Sequence, residues 1–225
     1  MHLIEEKELK IDQESICSRL PSRIAETIQL DSYLDWVREA SQLKGLYRRV
    51  FPEKTGTDTV EMEGITFTSR VLSRNLQDAH QVFPYVITCG YQLDEEASSH
   101  NMGVRYYLDL IANQYVSLAQ EKLMSLINQR YSLVKSARLS PGSLEDWPIE
   151  EQKLLFQLMG EEKVEKQIGV SLTESYLMVP TKTVSGIIFP TEVDFSSCQL
   201  CPRENCSHRK MPYDQNLARE YFYAG

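Results

Sequence analysis

The stretch Glu174-Ser-Tyr-Leu-Met-Val-Pro-Thr-Lys-Thr-Val-Ser-Gly186 decides the fold, because it links two β-rich runs through a short polar connection. Ser175 to Pro180 and Val184 to Phe189 are predicted as strands, and Thr181-Lys182-Thr183 joins them. Strands with Pro, Ser and Gly at their junction form either a plain hairpin or one wall of a ligand groove. The residues of this stretch leave both possibilities open.

Strands and helices do not alternate regularly along the rest of the chain. Thr59 to Thr68 alternates apolar and polar residues around a Glu63-Gly64 turn, which predicts a β-hairpin. Gly103 to Tyr131 carries apolar residues at helical spacing and predicts a helix about 40 Å long. This irregular order favours an α+β fold over a doubly wound parallel sheet.

Shorter elements complete the prediction, and Thr68 or Ser69 is available to cap one of the helices. Further strands are predicted at Tyr47 to Phe51, Gln81 to Cys89 and Leu133 to Leu139, and further helices at Ser22 to Leu43, Ser69 to Gln77 and Pro148 to Met159. The predicted organisation is an N-terminal helical segment (1–44), a core (45–190) and a cysteine-containing tail (191–225).

Composition excludes several classes of protein. The chain has 225 residues, 42% of them hydrophobic, and its 24 basic and 32 acidic residues give a net charge of −8. Such acidity argues against non-specific nucleic-acid binding, which depends on Lys and Arg neutralising phosphates. The first ten residues lack the apolar region of a secretory signal, and no apolar run approaches the ~18 residues of a membrane span. We therefore expect a cytoplasmic protein with neither a nucleic acid nor a membrane as partner.

The sequence offers no catalytic residue. It contains no nucleophile elbow, phosphate loop, dinucleotide-binding glycine pattern or paired-histidine motif. The four histidines are scattered, so a hydrolase or a dinucleotide-dependent enzyme is not indicated.

The loop Arg138-Leu-Ser-Pro-Gly142 is the first candidate binding element. Pro141 fixes φ and Gly142 allows a positive φ, so the backbone N–H and C=O groups can turn toward a ligand. Arg138, at the end of a predicted strand, supplies a rigid fork of donors suited to a carboxylate. The alternative interpretation is an ordinary turn that follows a surface arginine.

Three cysteines lie within nine residues, at Cys198, Cys201 and Cys206. The two-residue gap between the first pair allows both thiolates to reach one ion, as in zinc knuckles and iron–sulfur loops. The spacing therefore predicts a site for zinc or an iron–sulfur cluster, and three free thiols are the alternative. The fourth ligand of a tetrahedral site could come from His208, Cys89 or Cys17, or the position could stay open.

Several stretches, in order along residues 45 to 190, resemble one known family. The 174–186 stretch is similar to the S-adenosylmethionine-site segment in the activation domain of cobalamin-dependent methionine synthase. The 138–142 loop resembles that domain's adenosylmethionine-binding loop, and Glu145-Asp-Trp-Pro-Ile-Glu-Glu-Gln152 continues it as in stand-alone relatives. The other similar stretches are Tyr47-Arg-Arg-Val-Phe-Pro, Gly64-Ile-Thr-Phe, Ser69-Arg-Val-Leu-Ser-Arg-Asn-Leu, Val86-Ile-Thr-Cys-Gly90 and Tyr107-Leu-Asp109.

The resemblance implies a helmet-like α+β fold with a central twisted antiparallel sheet and long helices. It also implies a protein that binds S-adenosylmethionine and docks on a corrinoid protein or a cobalamin-binding methionine synthase subunit. There it would support reductive methylation of the oxidised cobalt(II) cofactor, as the reactivation step of a methyltransferase. The docking face would lie around the Ser140-Pro141-Gly142 loop and the Lys182 turn.

Site residues carried over from the family fall in the same two stretches. Arg138 would hold the ligand's carboxylate, and Ser140 and Gly142 would offer backbone contacts. The second stretch would line the same groove with Pro180, Ser185 and Gly186.

Two positions depart from the family pattern. Ser117 stands where the family's long helix carries a ligand-contacting glutamate, and Glu121, one turn further, could take its place. Ser143 stands where a tyrosine often follows the Pro-Gly pair. The alternative function is therefore a non-catalytic assembly or electron-delivery module, with a metal centre bound by the cysteines and a decayed adenosylmethionine groove.

Overall fold

The structure is a computed structural model, and it describes residues 1–5, 13–20, 22, 26, 30–93, 100–206 and 209–223. Among these residues the strands are β1 (His2–Glu5), β2 (Lys44–Tyr47), β3 (Lys54–Thr55), β4 (Thr59–Met62), β5 (Ile65–Thr68), β6 (Phe83–Thr88), β7 (Ser136–Leu139), β8 (Ser171–Leu172), β9 (Met178–Val179) and β10 (Thr183–Pro190). The α-helices are α1 (Gln13–Cys17), α2 (Leu30–Ala40), α3 (Arg70–Leu76), α4 (Met102–Tyr131), α5 (Gln152–Met159), α6 (Glu161–Ile168) and α7 (Gln215–Tyr223). Ile149–Glu151 and Ser197–Gln199 form single 3-10 turns.

The strands form three sheets, with hydrogen-bonded orders β1-β2-β6-β10-β7, β3-β4-β5 and β8-β9. Strands β7 and β10 are antiparallel, as are all neighbours in the two smaller sheets. The predicted hairpin is confirmed: Met62 pairs with Ile65 across the Glu63-Gly64 turn, whose residues have φ of 51° and 73°. Two positive φ values give a tight turn that matches the twist of its strands. The predicted α+β class is confirmed.

The chain divides into two compact units, each assembled from three separated segments. The first unit comprises residues 1–46, 86–126 and 162–184, and the second comprises residues 47–85, 127–161 and 185–225. The organisation into segments 1–44, 45–190 and 191–225 stays a prediction.

The second unit has a core of apolar side chains from strands and short helices. Phe67 and Trp147 meet edge to face, with ring centroids 6.3 Å apart. Ala137 and Leu139 of β7 face the same core as Ile187 and Phe189 of β10, because alternate residues of a strand share one face. The Ser69 hydroxyl caps α3 by accepting a hydrogen bond from Leu72 N–H, as the sequence predicted.

The long helix is confirmed within one residue of its predicted start, as Met102–Tyr131. Its apolar stripe is buried at each of Leu108, Ile111, Tyr115, Leu118 and Leu123. Burial on one side explains why this segment forms a single helix despite its length. Residues up to 126 belong to the first unit and the last turn belongs to the second.

Ser175–Pro180 and Val184–Phe189 do not pair as a plain hairpin, which was one of the two possibilities. In the first unit, β9 pairs instead with β8, whose Ser171 lies opposite Val179. A turn closed by Thr173 N–H donating to Leu177 O (2.9 Å), with Tyr176 at φ 62°, folds β9 back onto β8. Strand β10 lies between β6 and β7, so both of its edges are already occupied.

Other boundaries also differ from prediction, and the strand expected from Leu133 begins at Ser136. The strand expected at Tyr47–Phe51 ends at Tyr47, after which Val50 forms only an isolated bridge with Val82. Pro84, which accepts from Arg48 N–H at 3.1 Å, has no N–H to return, so the ladder is interrupted there. The helix expected at residues 22–43 is described as Leu30–Ala40, and residues 23–25 and 27–29 lie outside the described residues.

The segment after residue 190, expected to be a tail, contains a 3-10 turn and the helix α7. Asp214 caps α7, since its carboxylate accepts hydrogen bonds from the N–H groups of Asn216 (2.9 Å) and Leu217 (3.0 Å). None of the helices in the described part of the chain is long and apolar enough to cross a membrane.

Candidate functional site

The 138–142 loop begins at the end of β7 and forms a hydrogen-bonded turn. Ser143 N–H donates to Ser140 O at 3.1 Å, with Pro141 and Gly142 at the two central positions. Proline followed by a glycine at φ 78° is the arrangement of a type II turn, which requires a positive φ at its third residue. The sequence prediction for Pro141 and Gly142 is therefore confirmed at the level of the backbone.

Hydrogen bonds inside this turn engage several of the groups expected to contact a ligand. Gly142 N–H donates to Trp147 O at 2.7 Å, and Ser140 O accepts from both the N–H and the hydroxyl of Ser143. These groups hold the shape of the loop. Arg138, which the family resemblance implies as the carboxylate contact, stays a predicted ligand-binding residue.

Arg138 is half-buried and lies opposite Ile188 in the register of β7 with β10. Its neighbours Ala137 and Leu139 face the core, so the Arg138 side chain projects from the other face of the sheet. A guanidinium there is set by strand geometry on a rigid element, which is a suitable position for binding a carboxylate.

The second unit brings Ser185 and Gly186 against this loop. The Ser140 hydroxyl donates to Ser185 O at 2.6 Å, and Gln152 Nε2 donates to the buried Ser185 hydroxyl. A Cβ on Gly186 would lie 2.3 Å from Leu139 O and 2.7 Å from Ser140 Oγ, so only glycine fits this close approach. Pro180 belongs to the first unit, where its carbonyl accepts from the Thr183 hydroxyl at 2.7 Å.

Asp146, which follows the loop, is a structural residue that the sequence reasoning did not single out. Its carboxylate accepts hydrogen bonds from the Ser69 hydroxyl and from the N–H groups of Arg70 (3.2 Å) and Val71 (2.9 Å). It thereby satisfies N–H groups at the start of α3, where a negative charge is also favourable. The loop is thus tied to α3 as well as to β10.

Glu151 is a second residue that the sequence reasoning missed. Its carboxylate accepts from Thr68 N–H at 3.1 Å. Burial raises the pKa of Glu151 above its ordinary value, and the hydrogen bond from Thr68 N–H opposes that rise. The only sequence signal that includes Glu151 is the 145–152 stretch that resembles the family, because burial of a carboxylate cannot be read from the residue itself.

Glu121, considered as a substitute for the family glutamate, already has a partner in the first unit. Both of its carboxylate oxygens accept from the Arg19 guanidinium, at 3.1 and 2.7 Å. Ser117 is half-buried on the same helix. The ion pair makes Glu121 a structural residue of α4.

Lys182 is also engaged within the first unit, in contrast to its expected place on a docking face. Its ammonium donates to Asp109 Oδ1 and to Asn113 Oδ1, the latter at 2.9 Å. Its side chain is only 15% exposed. Lys182 and Asp109 line a cavity of about 460 Å³. The other described residues that line it are Trp36, Leu93, Met102, Arg105, Tyr106, Leu108, Ala112 and Thr181.

The cysteine loop is organised by an arginine. The Arg209 guanidinium donates to Cys198 O (3.0 Å), Cys201 O (3.2 Å), Met211 O (3.3 Å) and Arg203 O. These carbonyls lie on both sides of the loop, so one side chain fixes its path.

The structure does not gather the three cysteines into a metal centre. In the described part of the chain, which contains Cys198, Cys201 and Cys206, no group of three or more Cys, His, Asp or Glu residues is placed to hold an ion. Cys89 is buried, Cys17 is half-buried, and His208 lies outside the described residues. The metal site stays a prediction.

Cys198 differs from an ordinary thiol. Burial raises the pKa of its thiol, but hydrogen bonds from Lys210 N–H, the Ser196 side chain and Met211 N–H, together with the charge of Arg209, outweigh burial. The pKa of Cys198 consequently lies below its ordinary value.

Comparison with a solved structure identifies the fold. The crystal structure of the MetH reactivation domain bound to AdoHcy superposes with a TM-score of 0.57 at 16% sequence identity, over 87% of this chain and 80% of that chain. At this identity the likeness establishes a common fold, so the chain has the fold of a reactivation domain.

A family model matches part of the sequence. Residues 109–207 match the sequence model of the family described as Vitamin B12 dependent methionine synthase, activation domain. This match confirms the resemblance to that activation domain, and it contains both candidate ligand stretches and the three cysteines of the loop. No curated protein matches the chain.

Proposed function

We propose that the chain binds S-adenosylmethionine at the 138–142 loop and the adjoining strand β10, and presents it to a cobalamin held by a partner protein. The observation that carries this proposal is the attachment of the loop to Ser185 and Gly186, within the segment that matches the activation-domain family. The similarly folded reactivation domain was solved bound to AdoHcy, the product that remains when S-adenosylmethionine gives up its methyl group.

The chain's part in this function is to bind and position the ligand. Arg138, on a rigid strand, holds the ligand's carboxylate through two charge-assisted hydrogen bonds. When bound to the partner, reduced cobalamin supplies the nucleophile that accepts the methyl group. No general base is then required from this chain, and positioning is the contribution that a binding platform makes to rate.

Calorimetric titration with S-adenosylmethionine and with S-adenosylhomocysteine tests ligand binding. We expect both to bind, and Arg138→Ala to weaken S-adenosylmethionine by about tenfold, or about 1.4 kcal/mol, through loss of the bidentate contact. Arg219→Ala, at an exposed arginine of α7, is the matched control for the change in charge. Unchanged affinity in Arg138→Ala would remove that residue from the site. No binding of either ligand at millimolar concentration would favour the alternative of an assembly or electron-delivery module.

We also propose that the chain forms a weak one-to-one complex with a corrinoid protein or a cobalamin-binding methionine synthase subunit. A net charge of −8 favours a partner surface of positive charge, so association should weaken as salt is added. Lys182 is unsuitable as a docking probe because its charge is paired with Asp109.

Analytical ultracentrifugation against the corrinoid proteins of the same organism tests docking. Ser143→Trp places a bulky side chain at the exposed last residue of the Ser140–Ser143 turn and should abolish the complex. Asn216→Trp, at an exposed position of α7, should leave the complex intact. Failure to bind any corrinoid protein, in either oxidation state and with or without ligand, would overturn the docking proposal.

A further inference from the structure

The second unit contains a polar depression of about 500 Å³ that is separate from the 138–142 loop. Its described lining residues are Thr55, Gly56, Thr57, Arg70, Ser73, Arg74, Gln77 and Tyr221. This set contains two arginines, four hydroxyl groups and no carboxylate. The Ser73 and Tyr221 hydroxyls donate to Gly56 O and Asn75 Oδ1, so the donors that can serve a ligand are the two arginines and the two threonines. In a chain of net charge −8, this local concentration of positive charge indicates a site for an anion.

The two arginines lie one helical turn apart on α3 and both reach the end of α7. Arg70 Nη1 donates to Phe222 O, and Arg74 Nη1 donates to Glu220 O. Arg74 Nη2 also donates to the Glu220 carboxylate at 2.8 Å. A guanidinium carries five N–H donors, so these contacts use one donor of Arg70 and two of Arg74.

These contacts fix the guanidinium groups before any ligand arrives. The last carbonyls of a helix lack partners within the helix and carry partial negative charge, so they hold cationic side chains well. The Tyr221 ring adds a second support, with the Arg74 guanidinium carbon 5.0 Å from its centroid. Side chains already ordered in this way lose little conformational entropy when an anion binds.

We propose that this depression binds the phosphate group of a small polar metabolite, with Arg70 as the principal contact. The planar fork of a guanidinium matches two phosphate oxygens, and the hydroxyls of Thr55 and Thr57 add neutral donors. The volume falls within the range of about 300–1,000 Å³ typical of small-molecule sites, which leaves room for a sugar beside the phosphate. Glu220 is the internal competitor, because it occupies part of Arg74.

Titration followed by NMR, at constant ionic strength, tests the ligand class. The probes are inorganic phosphate, glucose 6-phosphate and glucose, and the readout is the Nε–H resonances of Arg70 and Arg74. We expect both resonances to shift with the two phosphate compounds and not with glucose. Tighter binding of glucose 6-phosphate than of phosphate would identify a phosphorylated metabolite, and equal binding would identify the free anion. Absence of a shift with either phosphate compound would overturn the proposal.

Three variants separate anion binding from a purely structural role of the arginines. Arg70→Gln should weaken phosphate binding by about tenfold, because the principal charged donor is lost. Glu220→Gln should tighten it by about threefold, because the competing carboxylate becomes neutral while the amide can still accept from Arg74. Arg219→Gln, at an exposed arginine outside the depression, should change nothing.

The Glu220→Gln variant keeps this test informative even where Arg70→Gln loosens α7. If the arginines serve only to cap that helix, Glu220→Gln lowers the melting temperature and leaves phosphate affinity unchanged. That result would overturn the proposal. The S-adenosylmethionine titration uses a different loop, so the two proposals succeed or fail independently.

Discussion

The loop at residues 138–147 and the loop at residues 198–211 both carry residues typical of ligand sites, yet they are held in different ways. The first is attached at three points: to β10 through Ser140 and Ser185, to α3 through Asp146, and across itself through Gly142. The second is held mainly by hydrogen bonds among its own residues, from the Arg209 guanidinium to several carbonyls and from Lys210 N–H to the Cys198 sulfur.

This difference determines how well each loop keeps its backbone geometry when no ligand is bound. A loop fixed from several directions keeps its backbone geometry in the absence of ligand, which is the condition for a preorganised binding site. A loop held mainly by bonds among its own residues has fewer attachments to other elements, so the loss of one bond should be felt chiefly within the loop. Substitutions should therefore act globally in the first loop and locally in the second.

The largest effect is expected from Gly186→Ala. The new Cβ would lie 2.3 Å from Leu139 O, in the middle of a paired strand, so β10 and the 138–147 loop cannot both keep their positions. We expect a loss of about 3 kcal/mol in the free energy of unfolding, measured by urea denaturation. Gly103→Ala, in the first turns of α4, is the control and should be neutral or stabilising by about 0.5–1 kcal/mol. A neutral Gly186→Ala would show that the two segments are not in close contact.

Asp146→Ala comes next. It leaves the start of α3 without the carboxylate that accepts from Ser69, Arg70 and Val71, and hydrogen bonds to a charged group contribute about 1.5–3 kcal/mol. The loss should fall near 2 kcal/mol in the same denaturation measurement, since Ser69 still caps the helix. Glu145→Ala, one residue earlier and exposed, should cost much less. Equal losses in the two variants would mean that the loop does not depend on Asp146.

Arg209→Ala is expected to cost less, about 1–2 kcal/mol, and to act within the cysteine loop. Amide hydrogen exchange should rise across residues 198–211 and stay unchanged in the 138–147 loop. Arg203→Ala, which removes an exposed side chain but keeps the carbonyl that Arg209 contacts, is the control. Protection that persists in Arg209→Ala would mean that something else closes the loop.

Metal analysis of anaerobically purified protein is the companion to that measurement. A variant with serine at positions 198, 201 and 206 provides the reference. Stoichiometric metal that disappears in this variant would establish the predicted zinc or iron–sulfur site. Equal metal content in both proteins would end that prediction.

The smallest effect concerns Glu151, whose pKa is raised by burial above its ordinary value of 4.5. The protonated carboxyl stabilises the fold fully below the unfolded pKa, and this contribution is lost as pH rises through the folded pKa. Relative to Glu151→Gln, the stability of the wild type should therefore decline across that window and level off above it. The change should stay below about 1 kcal/mol because the carboxyl is only half-buried and solvent screens it. Glu150→Gln, at an exposed neighbour, is the control for the substitution itself.

Local chemistry made part of this structure predictable from sequence. The Glu63-Gly64 hairpin, the Ser69 cap, the Pro141-Gly142 turn and the helix over 102–131 depend on turn residues, capping residues and apolar spacing. Each of these signals acts over a few neighbouring residues.

Features that depend on distant parts of the chain could not be read in the same way. The strand at 178–179 pairs with residues 171–172, a choice set by the occupied edges of β10. The attachment of Asp146 to α3 joins residues 75 positions apart. Helix α7 was missed although Asp214 is a good capping residue, because its apolar stripe is only two turns long.

The candidate site also has features that local signals predict and features that depend on distant residues. Pro141 and Gly142 predict a turn, and the family resemblance indicates Arg138. Neither signal shows that the Gly142 N–H donates a hydrogen bond to Trp147 O. The cysteine spacing predicts a bound ion in the same way. It does not predict the role of Arg209, because that role is to donate hydrogen bonds to backbone carbonyls, which every residue carries.

The interleaving of the two units has a consequence for biosynthesis. Residues 1–46, 86–126 and 162–184 alternate with residues 47–85, 127–161 and 185–225, so the chain crosses between the units five times. A ribosome therefore cannot release one finished unit before it starts the other, and both wait for the segments beyond residue 161. Folding should be largely post-translational, with long-range contacts forming late and slowly. A single proteolytic nick within residues 86–161 should likewise leave fragments that remain associated, since each fragment retains parts of both units.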